Sequence, residues 1–549
     1  MAAIVAPRKL LRLPYLVLVL SGLLVARCSA LQPAQTQALP PPPKAVSPTP
    51  TMFLPPTQIS GGDVWLSPSL PAAFVEAWQN PNLQKQGFRL IDEREAADFE
   101  VIPAGEAPLA TWIYALVAPF PTTLDEMTWD TLQSLWSGPE ALEPILVSSE
   151  SLMMLETLLG PAGENVRIAP AARLSDLAWQ LRPAFAFVPF EALEPRWKVI
   201  ELEGQSPIHR EFEIAAYPLK VVIGIEGAAG ATEILSPLLN LPTSNRDPEQ
   251  MTVLVMTGVT ALTRATAWQM DRRGVDFPAQ NIGDWLRGAD LTHISNEVPF
   301  AFDCPVPDPE QEGLKFCSDP KYIELLELVG ADIIELTGNH VRDYGSDALE
   351  YTLEEYRARQ WGIFGGGANL EAANEPLLIE HNGNQLAFLG CNRAGPKYAW
   401  ATEDQPGSTP CDSETLFTKV TDLKAQGYEV IFTYQWIERN AVTEDQRQAF
   451  EAAVDAGAVI VSGSQAHQPL SMAFYQDGLI HFGLGNLFFD QMQTLDLRSE
   501  VIARHVFYGG AHISTELLTA LLESYARPRP MTAGERSVFL GGLFEDSGW

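Results

Sequence analysis

Short apolar runs along this chain end abruptly in polar or glycine-containing loops. They alternate with stretches whose apolar residues recur every three or four positions. The first pattern predicts buried strands and the second amphipathic helices, which together make an α/β arrangement. In the first half, residues 74–78, 132–136 and 152–159 read as helix pieces, and 110–117 and 220–225 as strands. Residues 244–252 (SNRDPEQMT) are polar and turn-forming, and mark a boundary. Beyond it the pattern sharpens. Residues 252–256, 331–336, 429–434, 458–461 and 479–482 are apolar runs that stop at Thr257-Gly258, Gly338-Asn339-His340, Gln435-Trp436, Ser464-Gln465-Ala466-His467 and Gly485-Asn486. Ser318-Asp319 starts a helix with an apolar face at Tyr322, Leu325, Leu326 and Val329. Thr443 to Gln446 has the spacing of a capping box. Polar residues placed where apolar strands end are how α/β folds assemble a site.

The N-terminus follows a different pattern. Arg8, Lys9 and Arg12 precede an apolar run at 13–26, the form of a secretory signal and short of the ~20 residues that span a bilayer comfortably. Residues 1–30 therefore read as a signal peptide or a lipoprotein or membrane anchor. Three endings stay open: lipidation at Cys28, cleavage after Ala30, or an uncleaved anchor. Residues 31–57 hold nine prolines in 27 positions, favour extended polyproline II, and read as a stalk. The expected location is the outer face of the cytoplasmic membrane or the cell envelope.

Charge narrows the partners. With 36 Lys and Arg against 69 Asp and Glu, the formal net charge is −33, which excludes nucleic-acid binding through phosphate neutralisation. Apart from Cys28, the cysteines are Cys304, Cys317, Cys391 and Cys411. An even set in an exported chain predicts disulfides, with three connectivities available. The pairing 304–317 and 391–411 closes the shortest loops and is the expected one. No C-x-x-C spacing supports a zinc ribbon.

The blocks Thr257-Gly258, Asp290 to Glu297, Gly338-Asn339-His340 with Asp343-Tyr344-Gly345, Gly365 to Ala372, Gly463 with His467, and Leu484-Gly485-Asn486 with Asp490-Gln491 occur in one order. They resemble the CapA family of poly-γ-glutamate capsule biosynthesis proteins, related to calcineurin-like metallophosphoesterases. The resemblance implies a four-layer α/β/β/α sandwich over 250–492, with its loops gathered at one end, and a C-terminal extension 493–549 packing on it. The stretch 112–138, with Tyr217-Pro218-Leu219, is similar to phosphate-type periplasmic solute-binding proteins. That implies a solute-binding-like α/β domain over 58–245, either a working binding domain or a spacer.

Carried over, the resemblance makes Glu297, Asn339 and His467 metal ligands and His340 the phosphate-facing histidine. It places Asn296, Gln435, Ser464, Gln465 and Asn486 as substrate contacts. A divalent metal (Mn, Zn or Fe) would clamp a phosphoester between such groups. The chain departs from the family pattern at Val259, where a bridging Asp is expected, and at Gln435 and Ser464, where histidines are expected. Valine offers no lone pair to a metal. Two readings follow: a metal-dependent hydrolase assisted by His340, or a binding or scaffold protein that keeps the fold with a degenerate site. The partner in either case is an extracellular anionic polymer or phosphoester, with the membrane reached through the N-terminus. A third reading is solute capture by the first domain. His293 and His481 read as interior strand residues, and Gly365 to Gly367 as a close-packing turn.

Overall fold

A computed structural model describes residues 61–139, 143–227, 235 and 242–549. The signal or anchor segment and the Pro-rich linker lie outside the described residues. Gln58–Trp549 form one compact unit.

The first domain is a mixed sheet whose spine is the 13-residue strand Ala107–Pro119. Ten consecutive residues of that strand, 109–118, are buried but for Thr111, as expected of a strand covered on both faces. Lys220–Glu226 and, further along, Trp197–Val199 pair antiparallel with one edge of it, and Phe185–Pro189 with the other. Parallel strands and helices flank both sides. Trp129–Trp136 and Ser149–Leu159 are the helices expected near 132–136 and 152–159, and both start at a capping hydroxyl, Thr128 and Ser148.

The second domain is built on two facing sheets. One runs Gly362–Phe364, Ile333–Glu335, Leu291–Asn296, Met251–Met256, Ser499–Tyr508, Ala511–Glu523, Arg527–Pro530. The other runs Leu377–His381, Asn384–Asn392, Glu429–Gln435, Ala458–Ser464, Gly478–His481, Met472–Tyr475. Leu254, Met256 and Ile333 from the first meet Phe388, Ile431 and Ile460 from the second in one core. The helices Arg264–Arg273 and Ser346–Ala358 cover the outer face of the first sheet, and Ser413–Ala425 and Glu444–Asp455 that of the second. This is the α/β/β/α layering that the resemblance implies. The C-terminal segment does more than pack on it: Ser499–Tyr508 pairs with Met251–Met256 along six residues and so enters the sheet itself.

Both expected disulfides are formed, Cys304–Cys317 and Cys391–Cys411. The glycine turn at 365–367 packs closely, since a Cβ on Gly366 would lie 2.7 Å from Leu336 Cβ. Thr443 stands at the N-cap of Glu444–Asp455, but its hydroxyl caps no backbone N–H. The capping box that does close is Thr532 with Glu535, ahead of Ala533–Asp546.

Candidate functional site

The parallel strands of each sheet deliver their ends to one edge, and the two edges meet. In the second sheet, register places Asn392, Gln435 and Ser464 side by side. In the first, Glu297 follows the strand Leu291–Asn296, and Asn339 and His340 follow Ile333–Glu335. Gly338 lets these two loops touch: a Cβ there would lie 2.8 Å from Glu297 Cα.

Gln435 crosses between the sheets. Its Nε2 donates to Glu297 Oε1 and Asn339 Oδ1, each at 2.8 Å, and also faces Gln465 Oε1. Glu297 and Gln435 are both buried. A primary amide nitrogen has two hydrogens, so three oxygens converge on a donor able to serve two. The structure thus brings together Glu297, Asn339, Gln435 and Gln465.

His467 is held from behind. Its Nδ1 lies 2.9 Å from Asn486 Oδ1, while Asn486 Nδ2 donates to the backbone carbonyls of His467 and Leu497. Those two carbonyls fix the Asn486 amide with its oxygen toward the ring. His467 Nδ1 therefore carries the proton, and Nε2 is left with a free lone pair. Gln465 and His467 both adopt left-handed backbone conformations, φ 84° and 55°. Each costs about 1–2 kcal/mol for a residue with a Cβ, so packing elsewhere must hold the loop.

His340 Nδ1 lies 2.7 Å from Asp343 Oδ2, which also accepts from the Phe316 N–H, and Tyr398 OH donates to Asp343 Oδ1. Burial works against a charged imidazole here. The Asp343 hydrogen bond and the negative charge of Glu297 outweigh it, so His340 has a pKa above the ordinary histidine value.

Two candidates lie beside this group but bond none of it. Asn296 spends its amide nitrogen on Val298 O and Tyr356 OH, both at 2.7 Å, and bonds none of the Gln435 group. Ser464 Oγ is buried without a partner. His293 lies 3.1 Å from Glu335 in the sheet interior, and burial drives His481 down to about 3.

Arg264 escaped the sequence reading, because a single arginine at a helix start carries no motif. Its guanidinium lies over the rings of Phe316 and Phe489 at 5.1 and 4.8 Å and pairs with Asp490. His340 packs on Phe316 and His467 on Phe489, so a wall of ring, cation and ring joins the two histidines. The Cys304–Cys317 staple sits next to Phe316 and fixes that end of the wall.

The fold resemblance implies metals, and the residues can be tested for them. Val259 is buried in an apolar cluster with Ala261, Val298, Phe316 and Phe489, where a binuclear centre needs a bridging carboxylate. Two dications beside that cluster would lack counter-charge, so a binuclear pair does not fit. Among the described residues, the one trio of acidic or histidine side chains close enough to share an ion is Glu201, His209 and Glu516, remote in sequence from all of these.

Comparison with known proteins bears on the same region. Residues 253–491 match the family described as "Bacterial capsule synthesis protein PGA_cap". The capsule biosynthesis protein CapA of Bacillus anthracis is 25% identical over 299 residues, covering 53% of this chain and 72% of that protein. Among solved structures, an ABC-type phosphate transport receptor from Vibrio cholerae aligns with 33% of this chain and 94% of its own, at 13% identity and a TM-score of 0.28. A 5'-nucleotidase precursor from Thermus thermophilus aligns with 54% of this chain and 59% of its own, at 13% identity and a TM-score of 0.30.

Proposed function

Starting from a chain whose residues 253–491 belong to the bacterial capsule synthesis protein PGA_cap family, we propose that it serves capsule biosynthesis by holding an anionic extracellular polymer at the strand-end site. In this reading the protein binds the polymer and does not cleave it. The observation that carries the reading is Gln435, whose neutral amide ties Glu297 to Asn339 and Gln465 at the centre of the site. Val259 and its apolar neighbours occupy the other half.

A chain at −33 repels a polyanion at long range, so contact needs local cations. The neighbouring loops carry several. The Arg393 N–H donates to the Gln435 carbonyl, and Lys397 precedes the Tyr398 that holds Asp343. Arg342 is adjacent to the His340 loop, and Lys315 lies over Tyr344 at 4.4 Å. Arg264 and a readily protonated His340 line the interior.

A second reading has its own observation: three oxygens on one amide nitrogen. If Gln435 turned its oxygen inward, Glu297, Asn339, Gln435 and Gln465 would form an oxygen set suited to one hard cation such as Mn²⁺. Such an ion would supply a Lewis acid for a phosphoester.

Metal analysis of the full-length protein after incubation with Mn²⁺ and Zn²⁺ and removal of excess separates the two. The binding reading expects no metal above the Glu297→Ala background. It also expects poly-γ-glutamate affinity that falls with salt and falls further in Arg393→Glu. Near-stoichiometric metal that disappears in Glu297→Ala and His467→Ala would overturn it in favour of the hydrolase.

A further inference from the structure

The two sheets of the second domain meet over three buried histidines that form no ion pair among the described residues. His481 ends the strand Gly478–His481 of one sheet; His505 and His512 lie on Ser499–Tyr508 and Ala511–Glu523 of the other. The rings of His481 and His505 stack from sheet to sheet, 5.1 Å apart and 16° from parallel. His512 meets His505 at 5.3 Å. Leu479 and Phe507 beside them belong to the core between the sheets.

The hydrogen bonds suit neutral rings only. His512 Nε2 lies 3.0 Å from the Ser514 carbonyl, which can only accept, so that nitrogen carries the proton, and Nδ1 is buried without a partner. Thr515 Oγ1 lies 2.8 Å from His505 Nδ1, but His505 Nε2 has no partner. Neither nitrogen of His481 has one. An imidazolium donates from both nitrogens, and each of these rings lacks an acceptor at one nitrogen or at both. Protonation in place would bury a charge with a bare donor.

The surrounding charges give no relief. His293 adds a fourth imidazole, and the carboxylate of that layer, Glu335, is spent on it at 3.1 Å. On the strands flanking His481, its register partners are the neutral Ser462 and Met472. Arg504 and Glu516 alternate with His505 and Thr515, so they stand on the opposite face, paired at 2.8 Å. Burial lowers the pKa of His481 to about 3, of His512 to about 4, and of His505 well below the ordinary value; neighbouring imidazoles push His481 and His505 the same way.

We propose that this histidine seam is an acid-sensitive joint: in mild acid the two sheets part there, and the strand-end site, half of which each sheet supplies, comes apart with it. The seam is independent of what the site binds, polymer or metal.

Histidines held neutral in the fold favour the folded state fully above their unfolded value of ~6.5, and that advantage is lost as pH falls below it. Each takes up a proton on opening, which multiplies the opening constant by up to about tenfold per pH unit. Glu500, buried on the other face of Ser499–Tyr508 with its pKa raised, gives one up when exposed. The net gain is about two protons, so opening should rise roughly a hundredfold from pH 6 to 5, above the range where ordinary carboxylates titrate.

Hydrogen exchange of the full-length protein, read by segment and corrected for intrinsic rates, tests this. Segments 478–482 and 499–508 are expected to show that rise, while 107–119 of the first domain changes less than about tenfold. In His481→Phe, which removes one titration without stranding a hydrogen-bond partner, the rise should drop to roughly tenfold. Should that variant not fold, His481→Leu carries the same comparison, and the parent profile decides by itself. Protection at 478–508 that is equal at pH 6 and 5, a rise shared equally by 107–119, or an undiminished rise in the folded variant would each overturn the proposal.

Discussion

The strand-end site of the second domain and a cleft of the first, lined by Glu150, Asp176, Glu191, Glu194 and Arg196, both gather carboxylates in concave surroundings, yet they differ in which charges reach those carboxylates. At the strand ends Glu297 is bound by a neutral amide, and cationic groups stand close by: Arg264 with its partner Asp490, and His340 with its partner Asp343. In the cleft Glu191 has only neutral donors and Arg196 is already taken. Every cation named at either opening is already paired; the difference is that the Glu297 charge reaches His340, whereas no cation is among the groups acting on Glu191. The difference shows that net charge says little about what any single site accepts. The local pairing of each carboxylate decides it.

The largest test of that contrast is Arg264→Ala. Asp490 would keep its N–H bond from Ala265 but lose its cationic partner while staying buried. Breaking such a pair from one side costs about 3–5 kcal/mol, to be measured by urea unfolding. Poly-γ-glutamate affinity should fall with it. A loss below about 1 kcal/mol would mean that Asp490 is hydrated and that the wall between the histidines is not dry.

Gln435→Ala comes next. It leaves Glu297 and Gln465 with a buried acceptor that has lost its donor, worth about 1–3 kcal/mol by the same measurement. A variant as stable as the parent would indicate that a cation, not the amide, ties these oxygens together.

The boundary between the two domains offers a smaller, pH-dependent test. His209 lies 3.4 Å from Glu516 on the strand Ala511–Glu523 and 3.9 Å from Glu201. Burial opposes its charge, but Glu516 and Glu201 prevail and its pKa is raised. A histidine with a raised folded pKa contributes stability that is complete below its unfolded value of ~6.5 and is lost as pH rises through the folded value. The Tm advantage over His209→Gln should therefore be greatest near pH 6 and shrink on going alkaline. A constant difference would remove charge from the interface.

These cases also show what the sequence could and could not reveal. Strands such as Met251–Met256 and Glu429–Gln435 were legible because a fully buried strand needs an unbroken apolar run, and the polar residues at its end then mark the site. Asn339, Gln435 and Gln465 stand at such strand ends, whereas Glu297 came from the family resemblance. Asn296 was legible as a strand-end residue, but which way its amide points depends on Tyr356, 60 residues away. Arg264 was not legible, since its role is set by Phe316, Phe489 and Asp490, which only the fold assembles. The entry of 499–523 into the central sheet was hidden for a related reason: antiparallel pairing across some 250 residues leaves no periodic trace in either strand. The cleft shares this limit. Its four carboxylates are scattered over 150–194 and converge only when the sheet is built.

The smallest effect bears on the cleft alone. Glu191 has its folded pKa raised above the unfolded carboxylate value of ~4.3. The sign is opposite to that of a salt-bridged acid: such a group favours the folded state at low pH and costs stability as pH rises past the unfolded value toward the folded one. Glu191→Gln removes that titration but also exchanges one acceptor for a donor, so its Tm at any single pH is ambiguous. The difference between parent and variant is not. Parent Tm minus variant Tm should fall as pH rises through the unfolded value of ~4.3 and level off above the folded one, by no more than a few degrees. A difference that rises with pH would mean that Glu191 already has a cationic partner, and the contrast between the two openings would be lost.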